Sequence, residues 1–238
     1  MRQISSKKIK LSNSDLKKGI FIPDKLTEDL SEEIGLHIGD GSMNFYKNKD
    51  KLKGCYQLRG HIEDDKDHYN DVIKPLYEQV YSFTPSLRNM KSTGVYGFQL
   101  WSDGIVNFKN KIIGLPLGNK LNISIPSIFY NKTNLLISLI RGIFDTDGCV
   151  YLEEKRNKLY PRLEFKTVSP TLSEQIKTNL IHLGIRATKY VLIREEDNWN
   201  NLYTVAIRGD KMLNKTFKII EPKNPKHIKK FEYFLANS

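Results

Sequence analysis

The 238-residue sequence predicts an α+β protein of two pseudo-symmetric halves, each ordered helix-strand-strand-helix-strand-strand-helix (αββαββα). Three observations predict it. The stretch Glu33-Ile34-Gly35-Leu36-His37-Ile38-Gly39-Asp40-Gly41 comes back as Ile140-Arg141-Gly142-Ile143-Phe144-Asp145-Thr146-Asp147-Gly148. The same order of periodic segments follows each copy. The interval between copies suits a half of about 100 residues. The chain then divides into a basic arm over 1–30, a first half over 31–122 and a second half over 123–238.

The first half opens at Ser31, where Glu32 and Glu33 suit the positive end of a helix dipole. That helix stops at Gly41. Ser42–Lys47 alternates as a half-buried strand does. A polar loop, Asn48–Lys53, leads to a second strand, Cys55–Ile62. There Tyr56, Leu58 and Ile62 face one way, and Gln57, Arg59 and His61 the other. His68–Tyr81 carries Val72, Ile73, Leu76, Tyr77 and Val80 at helical spacing. Strands at Ser86–Lys91 and Val95–Trp101 follow, then a short helix from Asp103 to Ile113 and a Gly/Pro-rich turn ending at Lys120.

The second half repeats the order. A helix spans Thr133–Asp147, then strands at Cys149–Glu154 and Arg162–Val168 flank a basic turn. Ser169-Pro170 opens a helix that ends at Gly184. Strands Thr188–Arg194 and Tyr203–Arg208 flank an exposed loop at Glu195–Asn201. A last helix begins near Asp210, and the tail turns at Pro222–His227.

Lys and Arg number 38 against 27 Asp and Glu, a formal charge of +11. That surplus points to a polyanionic partner. Two cysteines, Cys55 and Cys149, exclude a disulfide framework and a cysteine-based zinc set. Mean hydropathy is −0.47. No apolar run reaches the ~18–20 residues that span a bilayer. Membrane insertion is not expected, and an intracellular place (cytoplasm, nucleoid or organelle matrix) is.

The repeated stretch carries the chemistry. Helix positions i and i+4 share a face. Gly35 with Gly39, and Gly142 with Thr146, make two bare stripes. Glycine inside a helix costs roughly 1 kcal/mol against alanine. Matched cost in two copies predicts two helices touching backbone to backbone, with Asp40 and Asp147 side by side at their ends. Such a pair repels unless a cation or a shared proton intervenes. A glycosidase acid/base pair would also use two carboxylates, but the basic charge and only two tryptophans disfavour it.

The two segments resemble the paired motifs of the LAGLIDADG homing endonucleases, in the single-chain form with one motif per half. Glu33 in place of an apolar residue and His37 in mid-motif depart from the pattern. In that family the penultimate acid of each motif binds metal, which by position marks Asp40 and Asp147, with Gly39 and Thr146 beside them. The resemblance implies antiparallel sheets forming a saddle in the DNA major groove. It implies a monomer that cuts double-stranded DNA at a long site with Mg2+, Mn2+ or Ca2+ substituting in binding. Paired carboxylates suit that chemistry, because magnesium takes one or two of them together with phosphate oxygens.

Lys120 and Lys226 close the two halves in similar turns, where related enzymes keep a basic residue near the scissile phosphate. His227 is an alternative to Lys226. Asp64 and Ser169, after the matched second strands, are placed to order water. Asp145 has no counterpart in the first motif and is read as structural. The outward strand faces offer base contacts. They are Ser42, Asn44, Gln57, Arg59, His61, Arg88 and Gln99 in the first half. In the second they are Tyr151, Glu153, Arg162, Glu164, Lys166, Lys189 and Arg194. The two sets differ in type, so the target is expected to be non-palindromic. A maturase that binds intron RNA, and a DNA-binding regulator without catalysis, are the rival readings. Neither a Cys or Ser start nor a terminal His-Asn is present, so a complete intein is not expected.

Overall fold

The computed structural model describes residues 3–48, 51–130, 132–194 and 199–237. The first two residues of the expected arm and parts of two expected loops, 49–50 and 195–198, lie outside the described residues.

Helix α1 (Glu28–Asp40) begins three residues before Ser31. The Thr27 side chain caps it by accepting the Leu30 N–H, and Glu28 and Asp29 fill the first turn. Ser31 is an interior position whose hydroxyl donates back to the Thr27 carbonyl. Strands β1 (Gly41–Asn48) and β2 (Lys51–His61) follow directly, so most of the expected loop between them is strand. A helical stretch over 66–81 widens into a π turn at Tyr69–Ile73 before α2 (Lys74–Tyr81). Pro75 lacks an N–H to return to residue 71, and the ladder loosens where that bond is missing. Strand β3 is confined to Arg88–Met90, β4 spans Val95–Trp101, and α3 (Asp103–Asn107) runs on as a π turn, Phe108–Ile113.

The second half repeats this with α4 (Thr133–Asp147), β5 (Gly148–Lys155), β6 (Lys158–Thr167), α5 (Pro170–His182), β7 (Thr188–Leu192), β8 (Leu202–Arg208) and α6 (Asp210–Ile220). The turn between β5 and β6 shrinks to Arg156 and Asn157, both at positive φ. A further helix, α7 (Pro225–Asn237), replaces the expected tail turn. Pro225 stands at its first position, where a missing N–H costs nothing.

Each half builds a four-stranded antiparallel sheet, ordered β1-β2-β4-β3 and β5-β6-β8-β7. One face of each sheet packs inward: Tyr56, Leu58, Phe98 and Leu100 in the first, Val150, Leu163, Phe165, Val205 and Ile207 in the second. The opposite faces stay open. Buried side chains of both halves form one continuous core, with α1 and α4 at its centre. Every residue of α1 from Leu30 to Gly39 is buried. Among the described residues no helix is long and apolar enough to cross a membrane.

The described part of the expected arm is not free. Asp15 is buried and accepts the Gly104 N–H, and Phe21 donates its N–H to the Tyr81 carbonyl. Residues ahead of α1 therefore lie against the first half.

Glu33, the odd residue of the first motif, sits in the core of that half. Its carboxylate meets the buried Lys109 ammonium at 2.5 Å and accepts from Tyr77 at 2.5 Å and Tyr81 at 2.8 Å. Burial lowers the Lys109 pKa, and the Glu33 charge opposes that shift. The π turn after α3 brings Lys109 there.

Candidate active site at the helix seam

The α1 and α4 helices meet without side chains between them. A Cβ built on Gly35 would strike the Leu139 carbonyl oxygen and stand 3.0 Å from the Gly142 Cα. One built on Gly142 would strike the Glu32 carbonyl oxygen and stand 2.7 Å from the Leu36 nitrogen. One turn on, Gly39 leaves room for the Thr146 side chain. The small residues at i and i+4 thus set the approach, and the approach sets where the helices end.

Both helices end in an acid followed by a glycine. Gly41 and Gly148 have extended, negative φ (−78° and −82°), so no left-handed turn calls for them. Space does. A Cβ on Gly41 would meet His37, and one on Gly148 would meet the Phe144 ring and carbonyl. The chain leaves each helix flush with its last turn and enters the first strand of a sheet. Asp40 and Asp147 consequently stand where the two open sheet faces meet.

Both carboxylates are half-buried at the negative ends of helix dipoles. Burial first, then Asp147 and Asp65, push the Asp40 carboxyl up to about 8, although Tyr69 donates to its Oδ2 at 3.1 Å. Burial raises Asp147 to about 6, with Lys120 and Lys226 holding it down. Neither acid forms an ion pair among the described residues.

The two lysines are not equivalent. Lys120 donates to the carbonyls of His37 at 3.2 Å, Ile38 at 3.0 Å and Gly39, closing the C-terminus of α1. Burial lowers its pKa, opposed by Asp147 and Asp40. Lys226 pairs with Asp65 at 2.7 Å. The Gly39 carbonyl is thus already taken, and the Thr146 hydroxyl donates within its own helix to Gly142 and Ile143. Neither expectation for a metal ligand beyond the two acids gains support from this.

Other expectations are corrected. Asp64 is exposed beside His61, whereas its neighbour Asp65 is buried and turned to the site. Asp65 accepts from the His61 N–H, the Asn224 amide and Lys226. Ser169 does not face water: its hydroxyl caps α5 and donates to the Ile123 carbonyl. His227 is buried against Phe144, and burial pushes it down to about 3, so it stays neutral. Asp145, read as structural, needs no correction: it is buried and accepts the N–H groups of Lys223 and Asn224.

This last contact belongs to a cross-half tie. Lys223 and Arg141 both pair with Glu32, at 2.8 and 3.0 Å. Asn224 bridges the Asp145 carbonyl and Asp65. Residues of the second half, most of them in its closing segment after α6, therefore hold the first.

Tyr69, Asp65 and Asn224 were not singled out from the sequence. Tyr69 lies four residues before Ile73 on the same helical face, and that spacing was a usable signal. Asp65 and Asn224 had none, because their meaning depends on a contact between distant segments.

The open sheet faces collect most of the expected base contacts. Ser42, Gln57 and Gln99 lie in one cross-strand row, and Arg59 and Arg88 flank Gly97 in the next. Asn44 is half-buried and accepts the Phe45 N–H, while His61 is exposed at the end of β2. In the second sheet Tyr151 pairs with Arg162, and Glu153 is exposed next to Lys155. Lys166 lies two open-face rows nearer the acids than Arg162. Lys189 is the exception. It pairs in register with the core residue Val205 and reaches Glu174 on the other face, so Thr188 and Tyr190 are the open-face positions of β7. Arg194 lies beyond β7, its guanidinium over the Trp199 ring at 4.7 Å. Glu164 is on the open face yet only 2% exposed, covered by its neighbours, and does not offer itself to a base directly.

Among the described residues no cluster of three or more His, Cys, Asp or Glu side chains could hold a metal. Two carboxylates are what the seam supplies. Magnesium, which keeps several waters and accepts phosphate oxygens, needs no more from the protein. Burial and mutual repulsion disfavour the doubly charged pair, and a bound divalent cation would offset both, so the two acids fit such an ion.

Comparison with known proteins gives three kinds of likeness. The family model of the LAGLIDADG-like domain matches residues 134–221, from α4 to the end of α6. A glutamine–fructose-6-phosphate aminotransferase (isomerizing) of Methanocaldococcus jannaschii is 26% identical over 201 residues, covering 84% of this chain but 16% of that protein. The chain thus spans a small part of that relative. Among solved structures, I-DmoI in complex with DNA and Mn superposes with a TM-score of 0.59 at 16% identity, covering 84% of this chain and 99% of that one. I-DmoI with DNA and Ca gives 0.58 at 18%, covering 88% and 100%. The LAGLIDADG homing endonuclease I-GzeII with its DNA target gives 0.55 at 13%, covering 89% of each.

Proposed function

We propose that this chain, which has the fold of the single-chain LAGLIDADG homing endonucleases and a LAGLIDADG-like domain in its second half, is a site-specific endonuclease of double-stranded DNA. The observation that carries the reading is the seam: two carboxylates from adjacent helix ends, set between two open sheet faces, in a chain of charge +11. A divalent cation, Mg2+ or its substitutes Mn2+ and Ca2+, would be held by Asp40 and Asp147. When bound it supplies a Lewis acid that activates water and steadies charge on phosphate oxygens.

The chain's own residues would divide the remaining work. Each acid belongs to one half, so each serves one strand of the duplex. Tyr69 orients the Asp40 carboxylate. Lys120 and Lys226 place positive charge where phosphate oxygens gain negative charge. The sheet faces lie along the major groove, whose ~12 Å width admits a β-ribbon, and read base edges there. Surface lysines fix position through phosphates. No observation favours intron RNA over duplex DNA. The similar solved structures hold DNA together with Mn or Ca, which supports the same use here.

The test is cleavage of a plasmid library of random inserts by the purified chain. Cutting at a defined sequence in Mg2+, binding without cutting in Ca2+, and loss of cutting in D40N and D147N are expected. Sequence-specific binding with no cutting in any divalent ion would leave a regulator rather than a nuclease.

A further inference from the structure

The two open faces are built from matching positions with different chemistry. Gly41 pairs with Leu58 and Gly148 with Phe165, which fixes the correspondence. Gln57 then corresponds to Glu164, Cys55 to Arg162, and Arg59 to Lys166. Across the next strand, Gln99 beside Gln57 corresponds to Ala206 beside Glu164. The first half has two amides where the second has one carboxylate and a small residue.

Glu164 is sunk into that gap. Its Oε1 lies 2.9 Å from Arg162 Nε and its Oε2 lies 3.2 Å from Lys166 Nζ. Tyr190 donates to Oε1 at 2.7 Å. Lys166 also donates to the Tyr151 hydroxyl at 2.9 Å, and the Arg162 guanidinium sits over the Tyr151 ring at 5.0 Å. The carboxylate is thus flanked by two cations and one hydroxyl donor and covered by them. Arg162 is held by the charge of Glu164 beside its Nε, which makes no hydrogen bond, and by stacking on the Tyr151 ring, and among the described residues its terminal amino groups have no protein partner. It lines a cavity with Arg186 and Arg208. A guanidinium fixed in this way suits the O6 and N7 acceptors of guanine, whereas Gln side chains suit the N6 and N7 of adenine.

We propose that Glu164 is a positioning residue, that it aims Arg162 at guanine in the half-site under the second sheet, and that Gln57 and Gln99 select adenine at the matching place in the other half-site. The proposal rests on the DNA-binding reading above and adds to it which bases the two halves prefer.

The test is selection from a library of random 30-base-pair duplexes in Ca2+, followed by sequencing of the bound fraction. The parent is expected to enrich guanine at one position of one half-site and adenine in the other. R162A should lower the guanine preference roughly ten- to a hundredfold. R162K should lower it too while keeping overall affinity, because it retains the charge without the planar fork. E164Q should relax the same position as R162A, leave the adenine preference in place, and be partly rescued by E164D. Q57A with Q99A should flatten only the adenine half-site. If E164Q alters a position separate from that of R162A, Glu164 reads a base itself and the proposal falls. It also falls if R162A and R162K leave every position unchanged in a selected consensus. Failure of the parent to select any sequence would instead remove the DNA-binding reading on which the proposal stands.

Discussion

Replacing Gly142 with alanine places one methyl group into the helix seam. The added carbon would strike the Glu32 carbonyl oxygen and lie 2.7 Å from the Leu36 nitrogen and 2.9 Å from the Gly35 carbonyl carbon. All are backbone atoms of α1, so none can rotate aside. Relaxed carbon contacts need ~3.5–4.0 Å, which requires the helices to separate by about 1 Å. Overpacking of this kind costs about 1–3 kcal/mol, and the upper end applies where backbone is the obstacle. The gain in helix propensity returns up to ~1 kcal/mol. A net loss of ~2 kcal/mol lowers the melting temperature by about 4–8 °C in a chain of this size. The same movement carries Asp147 away from Asp40, and a shift of ~1 Å costs on the order of a hundredfold in rate. Circular-dichroism melts and cleavage of a target plasmid, run well below both melting points, measure the two effects. A G142A protein that melts and cuts like its parent would refute backbone-to-backbone packing at the seam.

Gly39 meets a side chain rather than backbone, so G39A should destabilise and the double variant G39A/T146G should recover most of the loss; a melt of each decides it. Burial and a like charge raise the Asp40 carboxyl above its unfolded value, so folding favours its neutral form. Metal-free stability should then fall as pH rises from about 4 to about 8. D40N should remove the Asp40 share of that slope and leave those of Asp145 and Asp147, with a gain of up to ~4 kcal/mol at pH 8 that shrinks as water reaches the site; an unchanged profile in urea titrations refutes the assignment. His68 and His227 are pushed by burial down to about 3, and both nitrogens of His68 lack hydrogen-bond partners among the described residues. Stability should be full above about pH 6.5 and fall toward pH 3, by ~2 kcal/mol per histidine at pH 5. H68F should remove one share, visible as a smaller difference between melts at pH 5 and pH 8. Removing one partner of the buried Glu33–Lys109 pair should cost ~3–5 kcal/mol, and E33L/K109M should cost clearly less than the sum of E33L and K109M by chemical denaturation.

The seam was legible because glycine inside a helix is a cost that packing must explain, and it recurred at matched places. The sheets were legible from alternation, which separated Tyr56 and Leu58 from Gln57 and Arg59. Alternation says which face a residue takes but not what covers it, so Glu164 was read as a base contact when its neighbours roof it over. Strand β7 has few inward apolar residues, so its register was weakly marked and Lys189 was placed on the wrong face. Pro222 and Pro225 read as a turn, although proline also opens helices, and α7 was missed. Glu33 was visible as an anomaly in the motif. Its counter-charge was not, because Lys109 reaches it only through the π turn after α3.

The cross-half tie bears on any attempt to build hybrids. Lys223, Asn224 and Lys226 lie in the closing segment of the second half, after α6, yet they grip Glu32 and Asp65 of the first. A graft that exchanges one half for that of a relative would sever those grips even if the junction between halves were seamless. Retargeting by half-exchange would therefore succeed only when the closing segment travels with the partner it holds, not with the half it ends.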